Sequence, residues 1–184
     1  ERAGLVNFDS YRIELDLTTS ETTFRSRTTV RFSAKDGAST FIDAITSEVH
    51  SITLNGESLP VSLADGVRIS LPNLAASNEL VVDADMFYMN TGEGLHRFVD
   101  PVDGEVYLYS QFEVPDSRRV FAVFEQPDLK ATFQLSVIAP KHWKVISNAV
   151  TPAPVELGEA NARWDFPTSL RMSTYITALV AGPY

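Results

Sequence analysis

The sequence predicts an all-β domain: a mostly antiparallel two-sheet sandwich with one short helical turn near residues 116–125. Three observations carry that expectation. Apolar residues recur at every second position in run after run, Gly-bearing turn pairs punctuate the runs, and helical periodicity is nearly absent. Strands in such number, with turns at short intervals, favour two packed sheets over one open sheet.

In YRIELDL, Tyr11, Ile13, Leu15 and Leu17 share one face while Arg12, Glu14 and Asp16 share the other, the pattern of a half-buried antiparallel strand. The next run, from Thr23 to Ser33, puts Phe24, Val30 and Phe32 on a face with Ser26 and Thr28. Arg25, Arg27, Thr29 and Arg31 then form a charged outer surface. Asp36-Gly37, Asn55-Gly56, Asp65-Gly66 and Asp103-Gly104 read as turns, because glycine reaches positive φ without steric cost. Further along, Val67, Ile69 and Leu71 alternate, then Ala131, Phe133, Leu135 and Val137, then Ala162, Trp164 and Phe166, and finally Ile176, Ala178 and Val180. The helical candidate follows Pro115, where Asp116 or Ser117 can cap one or two turns that carry Val120, Phe121 and Phe124 inward before Pro127 stops them.

The 184 residues suit a single domain, 1–184, and 44% hydrophobic content is enough for a real core. A net charge of −9, without any Lys/Arg-rich run, argues against nucleic acid or an anionic membrane as partner. No apolar run approaches the roughly 20 residues of a membrane span, and the N-terminal stretch has no signal-peptide core. Cysteine is absent, which excludes disulfides and thiolate ligands and fits a cytosolic protein as well as a disulfide-free secreted one; the expectation is a cytoplasmic protein.

Catalytic signals are missing. His50, His96 and His142 lie far apart and form no H-E-x-x-H or other compact ligand motif, so each reads as a surface or loop histidine. There is no G-x-S-x-G elbow, no G-x-G-x-x-G and no Walker-type loop; NTGEGLHRF has glycines near an arginine but lacks a strand-to-helix context. No catalytic residue and no metal ligand is assigned.

The densest chemistry lies in YLYSQFEVPDSRRVFAVFEQPDLKATF, Tyr107 to Phe133. On a strand, Gln111 and Glu113 point to one face and Phe112 to the other. A carboxylate beside an amide suits an ammonium group, since the acid supplies a charge-assisted bond while the amide oxygen accepts a second N–H or orients the acid. The same spacing equally describes the polar outer face of an ordinary strand. Arg118 and Arg119 read either as an anion-binding pair or as internal partners for Glu125, Asp128 and Asp116, and the second is commoner because arginine forks brace irregular loops.

Taken whole, this segment resembles the N-terminal domain of the aminopeptidase N family of zinc metallopeptidases, of bacterial type. The family run T-Q-x-E-x-x-D-A-R-R-x-F-x-x-F-D-E-P-x-x-K-A-x-F is matched by Gln111, Glu113, Asp116, Arg118, Arg119, Phe121, Phe124, Pro127, Lys130, Ala131 and Phe133. Tyr11 to Leu17, GEGLHRF at Gly92 to Phe98, Trp143 with Val145, Ser147 and Asn148, and MSTYITALVAG at Met172 to Gly182 extend the resemblance over nearly the whole chain. Ser110, Ser117, Glu125 and Gln126 depart from the usual Thr, Ala, Asp and Glu, and the last removes a charge near the two arginines.

The resemblance implies a saddle-shaped sandwich that packs against a thermolysin-like catalytic domain of the same polypeptide. It implies that Glu113 binds the α-ammonium of a peptide N-terminus with Gln111 lining the pocket beside it. The G-A-M-E-N loop and the zinc motif are not in the chain, so the zinc, general base and oxyanion-stabilising tyrosine are expected beyond Tyr184, leaving these residues without zinc or activity of their own. The rival readings are a non-enzymatic sandwich that binds carbohydrate or protein through aromatics such as Trp143 or Trp164, and an adhesion-type domain with the Tyr109–Glu113 face buried.

Overall fold

The alternation in VNFDSYRIELD becomes strand β1 (Val6–Asp16), whose apolar positions are all buried. The structure is a computed structural model describing residues 4–184, so the expected domain 1–184 can be followed except at residues 1–3, which lie outside the described residues. β1 pairs antiparallel with β2 (Thr23–Ala34) through a bulge between Phe8 and Ser10. On its other side it pairs in parallel with β10 (Thr132–Pro140), from Ser10 against Thr132 to Asp16 against Ile138. One long antiparallel neighbour and one parallel strand from the far end of the sequence therefore flank β1.

Around this centre the chain builds an eight-stranded sheet in the order β12-β13-β10-β1-β2-β7-β4-β5. Its remaining members are β4 (Glu48–Leu54), β5 (Glu57–Leu59), β7 (Ser77–Phe87), β12 (Val155–Leu157) and β13 (Asn161–Asp165). A second sheet of four strands runs β11 (Lys144–Ser147), β14 (Leu179–Gly182), β9 (Val106–Gln111) and β8 (Gly94–Val99). A ribbon of β3 (Thr40–Asp43) and β6 (Arg68–Leu71) completes the fold. The expected all-β, mostly antiparallel architecture is present, with the ribbon as an element beyond the two expected sheets.

Ile13, Leu15, Phe133 and Leu135 of the large sheet face Leu179 of the four-stranded sheet and Phe112, just past the end of that sheet's β9, across a common apolar space. Next to it an aromatic cluster forms: Tyr11 stacks on Phe133 at 5.0 Å between ring centroids, and Phe8 lies 4.4 Å from Phe124. Phe124 is seated by two backbone contacts, its own N–H on the Tyr11 hydroxyl (3.3 Å) and the paired N–H and C=O of Val123 on Asp43 (2.9 Å each). These tie residues 120–124 between the large sheet and the ribbon.

The outer face of β2 carries the expected charges. Arg31 pairs with Glu79 at 2.8 Å and Arg25 with Asp83 at 2.5 Å on β7. On its inner face Ser26 and Thr28 are buried as expected, and their hydroxyls have no hydrogen-bond partner among the described residues.

Three local expectations are corrected. The C-terminal strand buries Leu179 and Ala181 rather than Ile176, Ala178 and Val180, because a 3₁₀ turn at Thr174–Ile176 precedes it and resets the alternation. Val67 is exposed, since β6 begins only at Arg68. The short helical turn expected near 116–125 is present as the 3₁₀ turn Ser117–Arg119, with Val120, Phe121 and Phe124 buried as expected; the expected side-chain cap at Asp116 is what is missing.

Candidate functional site

Gln111 is the last residue of β9, and Glu113 lies past the strand end in a tight turn that leads through a cis Val114–Pro115 peptide to the 3₁₀ turn. Both side chains are exposed while Phe112 between them is buried, packing edge-on against Phe121 at 6.0 Å. The expected facing is thus obtained by a different route. A buried anchor at Phe112 and a turn, rather than continued pleating, put Gln111 and Glu113 on the solvent side.

The two residues are linked directly. The Glu113 backbone N–H donates to Gln111 Oε1 at 2.6 Å, closing a small ring over Phe112. Gln111 thereby commits its oxygen to the turn and leaves its NH2 group for other work. The Glu113 carboxylate makes no ion pair or side-chain hydrogen bond among the described residues. An exposed carboxylate on a braced turn has the chemistry to accept a charge-assisted hydrogen bond from an ammonium group.

The turn is held on its other flank by Arg119, which bonds Asp116 at 2.8 Å and reaches Glu93 at 3.4 Å. The guanidinium stem crosses β8 at Gly94, where a Cβ would lie 2.9 Å from Arg119 Cβ and where φ is +61°. Only glycine lets the two chains approach this closely. Gly94 is in turn the partner of Gln111 across β8 and β9. Asp116 is thus one of the internal partners expected of the arginines, but Asp128 takes part in no ion pair among the described residues.

Glu125 acts through its carboxylate on backbone and hydroxyls instead of on a guanidinium. It accepts from the Ser117 hydroxyl at 2.6 Å, from the Arg118 backbone N–H at 2.7 Å and from the Thr174 hydroxyl at 3.0 Å. Burial pushes its pKa up, against the lowering effect of those three donors. Neither the hydroxyl donors nor the backbone donor is visible as a motif, so sequence reasoning assigned Glu125 to the arginines.

The histidines stay apart. His50 contacts Asp85 at 3.0 Å on the large sheet, His96 Nδ1 accepts the Gly92 N–H and its ring stacks on Tyr109, and His142 lies 3.9 Å from Glu105. Among the described residues one group, Glu48, His50 and Asp85, brings metal-ligand atoms within 4.8 Å of one another. Asp85 there is also 3.5 Å from Arg25, whose positive charge opposes a cation. No three-ligand histidine set of the kind a catalytic zinc needs is assembled from these residues.

Trp143 and Trp164 are 8% and 3% exposed, which removes them as a stacking surface for sugars. The Tyr109–Glu113 face is open, with Tyr109 41% exposed, unlike the buried face an adhesion-type reading needs.

A family model described as the peptidase M1 N-terminal domain matches residues 7–176. Aminopeptidase N of Streptomyces lividans is 55% identical over 189 residues, covering 100% of this chain and 22% of that protein. Aminopeptidase N of Acetobacter pasteurianus is 47% identical over 75 residues, 41% of this chain and 21% of that protein. Human aminopeptidase N is 24% identical over 216 residues, 96% of this chain and 21% of that protein. The matched part of the chain spans about a fifth of the length of each of these curated relatives.

Proposed function

The chain belongs to the peptidase M1 N-terminal domain family, and on that premise we propose that it is the substrate-recognition and packing domain of a zinc-dependent aminopeptidase that removes N-terminal amino acids from peptides. The observation that supports this reading most is the exposed Glu113 carboxylate, uncommitted among the described residues and braced through Gln111. Glu113 takes the α-ammonium of the peptide. Gln111 fixes the turn through its oxygen and offers its NH2 group to an acceptor of the substrate beside it.

The zinc and the hydrolytic groups belong to a catalytic domain of the same polypeptide, in a cytoplasmic enzyme. The residues described here do not fit the metal, so no step of the hydrolysis is assigned to them. Their contribution is selective: a carboxylate at one end of the cleft rewards a free amine and disfavours an acylated one.

The test is kinetic and uses the longer polypeptide. With Glu113→Ala the substrate ammonium loses its charged partner, which lowers kcat/KM by roughly 2–5 kcal/mol. Glu113→Gln falls between, since an amide accepts a hydrogen bond without bringing charge. Free and N-acetylated aminoacyl substrates are compared in all three proteins. A mutant that keeps full efficiency and full preference for the free amine refutes the assignment.

A further inference from the structure

Alternation along β8 and β9 turns one face of the four-stranded sheet to solvent, and its rings come together. Register sets Phe98 opposite Tyr107 and His96 opposite Tyr109. Tyr184 closes the third side with its ring 5.1 Å from that of Tyr107. Together with Asp100 these five rings line a shallow cup of about 440 Å³. Phe98, Tyr109 and Tyr184 are large and exposed, an arrangement that an ordinary polar outer face lacks.

The cup is acidic as well as aromatic. One oxygen of Asp100 accepts the Val102 N–H at 2.8 Å, and the carboxylate keeps its second oxygen for another donor. Asp103 and Glu105 stand on the same β8–β9 turn, with Asp103 bonded to the Tyr107 hydroxyl at 2.9 Å. The Tyr107 phenol is pushed up in pKa first by that bond, then by desolvation, and further by the negative charges of Asp103, Asp100 and Glu105. Arg97, the cation within this stretch of β8, is turned away toward the Tyr88 ring. Negative ring faces beside a carboxylate attract an organic cation, and arginine does this best because its planar guanidinium stacks while its edge donates hydrogen bonds.

We infer that the Phe98, Tyr107, Tyr109 and Tyr184 cup, with Asp100 at its rim, receives a basic side chain, an arginine or lysine, carried by the remainder of the same polypeptide. The occupant is chosen on two grounds. The Streptomyces lividans and human aminopeptidases N are each about five times as long as this chain, so the longer polypeptide of the proposed function offers a covering segment in cis. The charge of the rim selects a cation over a neutral apolar side chain or a sugar. This placement rests on the aminopeptidase reading, since Gln111 continues the Tyr107, Tyr109 face of β9 and a segment seated in the cup is thereby set beside the ammonium site.

Fluorotyrosine labelling reads the cup through Tyr107, Tyr109 and Tyr184. In this chain alone, N-acetyl-arginine amide should shift those signals, and the uncharged isostere N-acetyl-citrulline amide should bind about two- to fivefold more weakly. Asp100→Asn keeps the acceptor for the Val102 N–H and should narrow that difference, leaving the part due to the ring faces. In the longer polypeptide the cup is filled, so the arginine analogue should leave the same signals unmoved. Equal response to arginine and citrulline analogues, a stronger response to methyl glucoside, or a longer polypeptide that responds like the isolated chain would each overturn the inference. Amine discrimination measured on the same longer polypeptide stands or falls separately, so failure of the cup and failure of the aminopeptidase reading are told apart.

Discussion

At Glu125 three donors meet one carboxylate in a place largely closed to water. Desolvation is the largest influence and raises the pKa; the bonds from Ser117, Arg118 and Thr174 pull it down, and Asp43 nearby pushes it up again. A raised folded pKa means that the native state holds the proton more tightly than the unfolded chain does. The resulting stability is present below the ordinary glutamate value of 4.5 and is lost as pH rises through the elevated one. Glu125→Gln accepts from Arg118 and pairs with both hydroxyls without any charge to desolvate, so it should flatten this dependence. Urea unfolding of both proteins at pH 5 and pH 8 checks it. The wild type should lose more stability than Glu125→Gln between those values, and a gap between the two that is independent of pH would disprove the sign.

Element by element, the faces of β1, β2 and β13 were legible because period-two alternation is a local property of residues such as Tyr11, Ile13 and Leu15. The phase of β14 was not, since the Thr174–Ile176 turn shifts it by one residue without leaving a mark in the apolar pattern. Nor was the parallel pairing of β1 with β10, which joins Ser10 to Thr132 and depends on no neighbour in sequence. At the site, spacing alone leaves Gln111 and Glu113 open between receptor and plain strand; the resemblance is what points to a receptor, and the Oε1 bond to the Glu113 N–H is visible to neither. β2 offers a test at this scale. Thr28 sits between Ile13 and Val82 with its hydroxyl buried and without a partner among the described residues. A buried hydroxyl left uncompensated costs about 1–3 kcal/mol, so Thr28→Val, which keeps the shape, should stabilise the protein by about 1 kcal/mol in urea unfolding. Destabilisation would mean that the hydroxyl holds a bound water.

For the molecule as a whole, the question is whether the large and the four-stranded sheet unfold as one. From β9 onward the chain alternates between them: β9 in the small sheet, β10 in the large, β11 in the small, β12 and β13 in the large, β14 in the small. Their inner faces share the apolar space between Ile13, Leu15 and Phe133 on one side and Phe112 and Leu179 on the other. Opening either sheet would bare the other's core and release the connections that position its strands, so a single cooperative transition is expected. The two tryptophans report the two halves. Trp164 on β13 pairs with Val137 in the large sheet, and Trp143 is buried next to β11 in the small one. In Trp143→Phe the remaining fluorescence follows the large sheet, and in Trp164→Phe it follows the small. Each variant is compared with its own far-ultraviolet circular dichroism, which removes any change of stability caused by the substitution itself. Coincident urea midpoints within both variants are the expected outcome. If Trp143 instead reports a transition earlier than the circular dichroism of the same variant, the four-stranded sheet unfolds by itself and the single-domain reading fails.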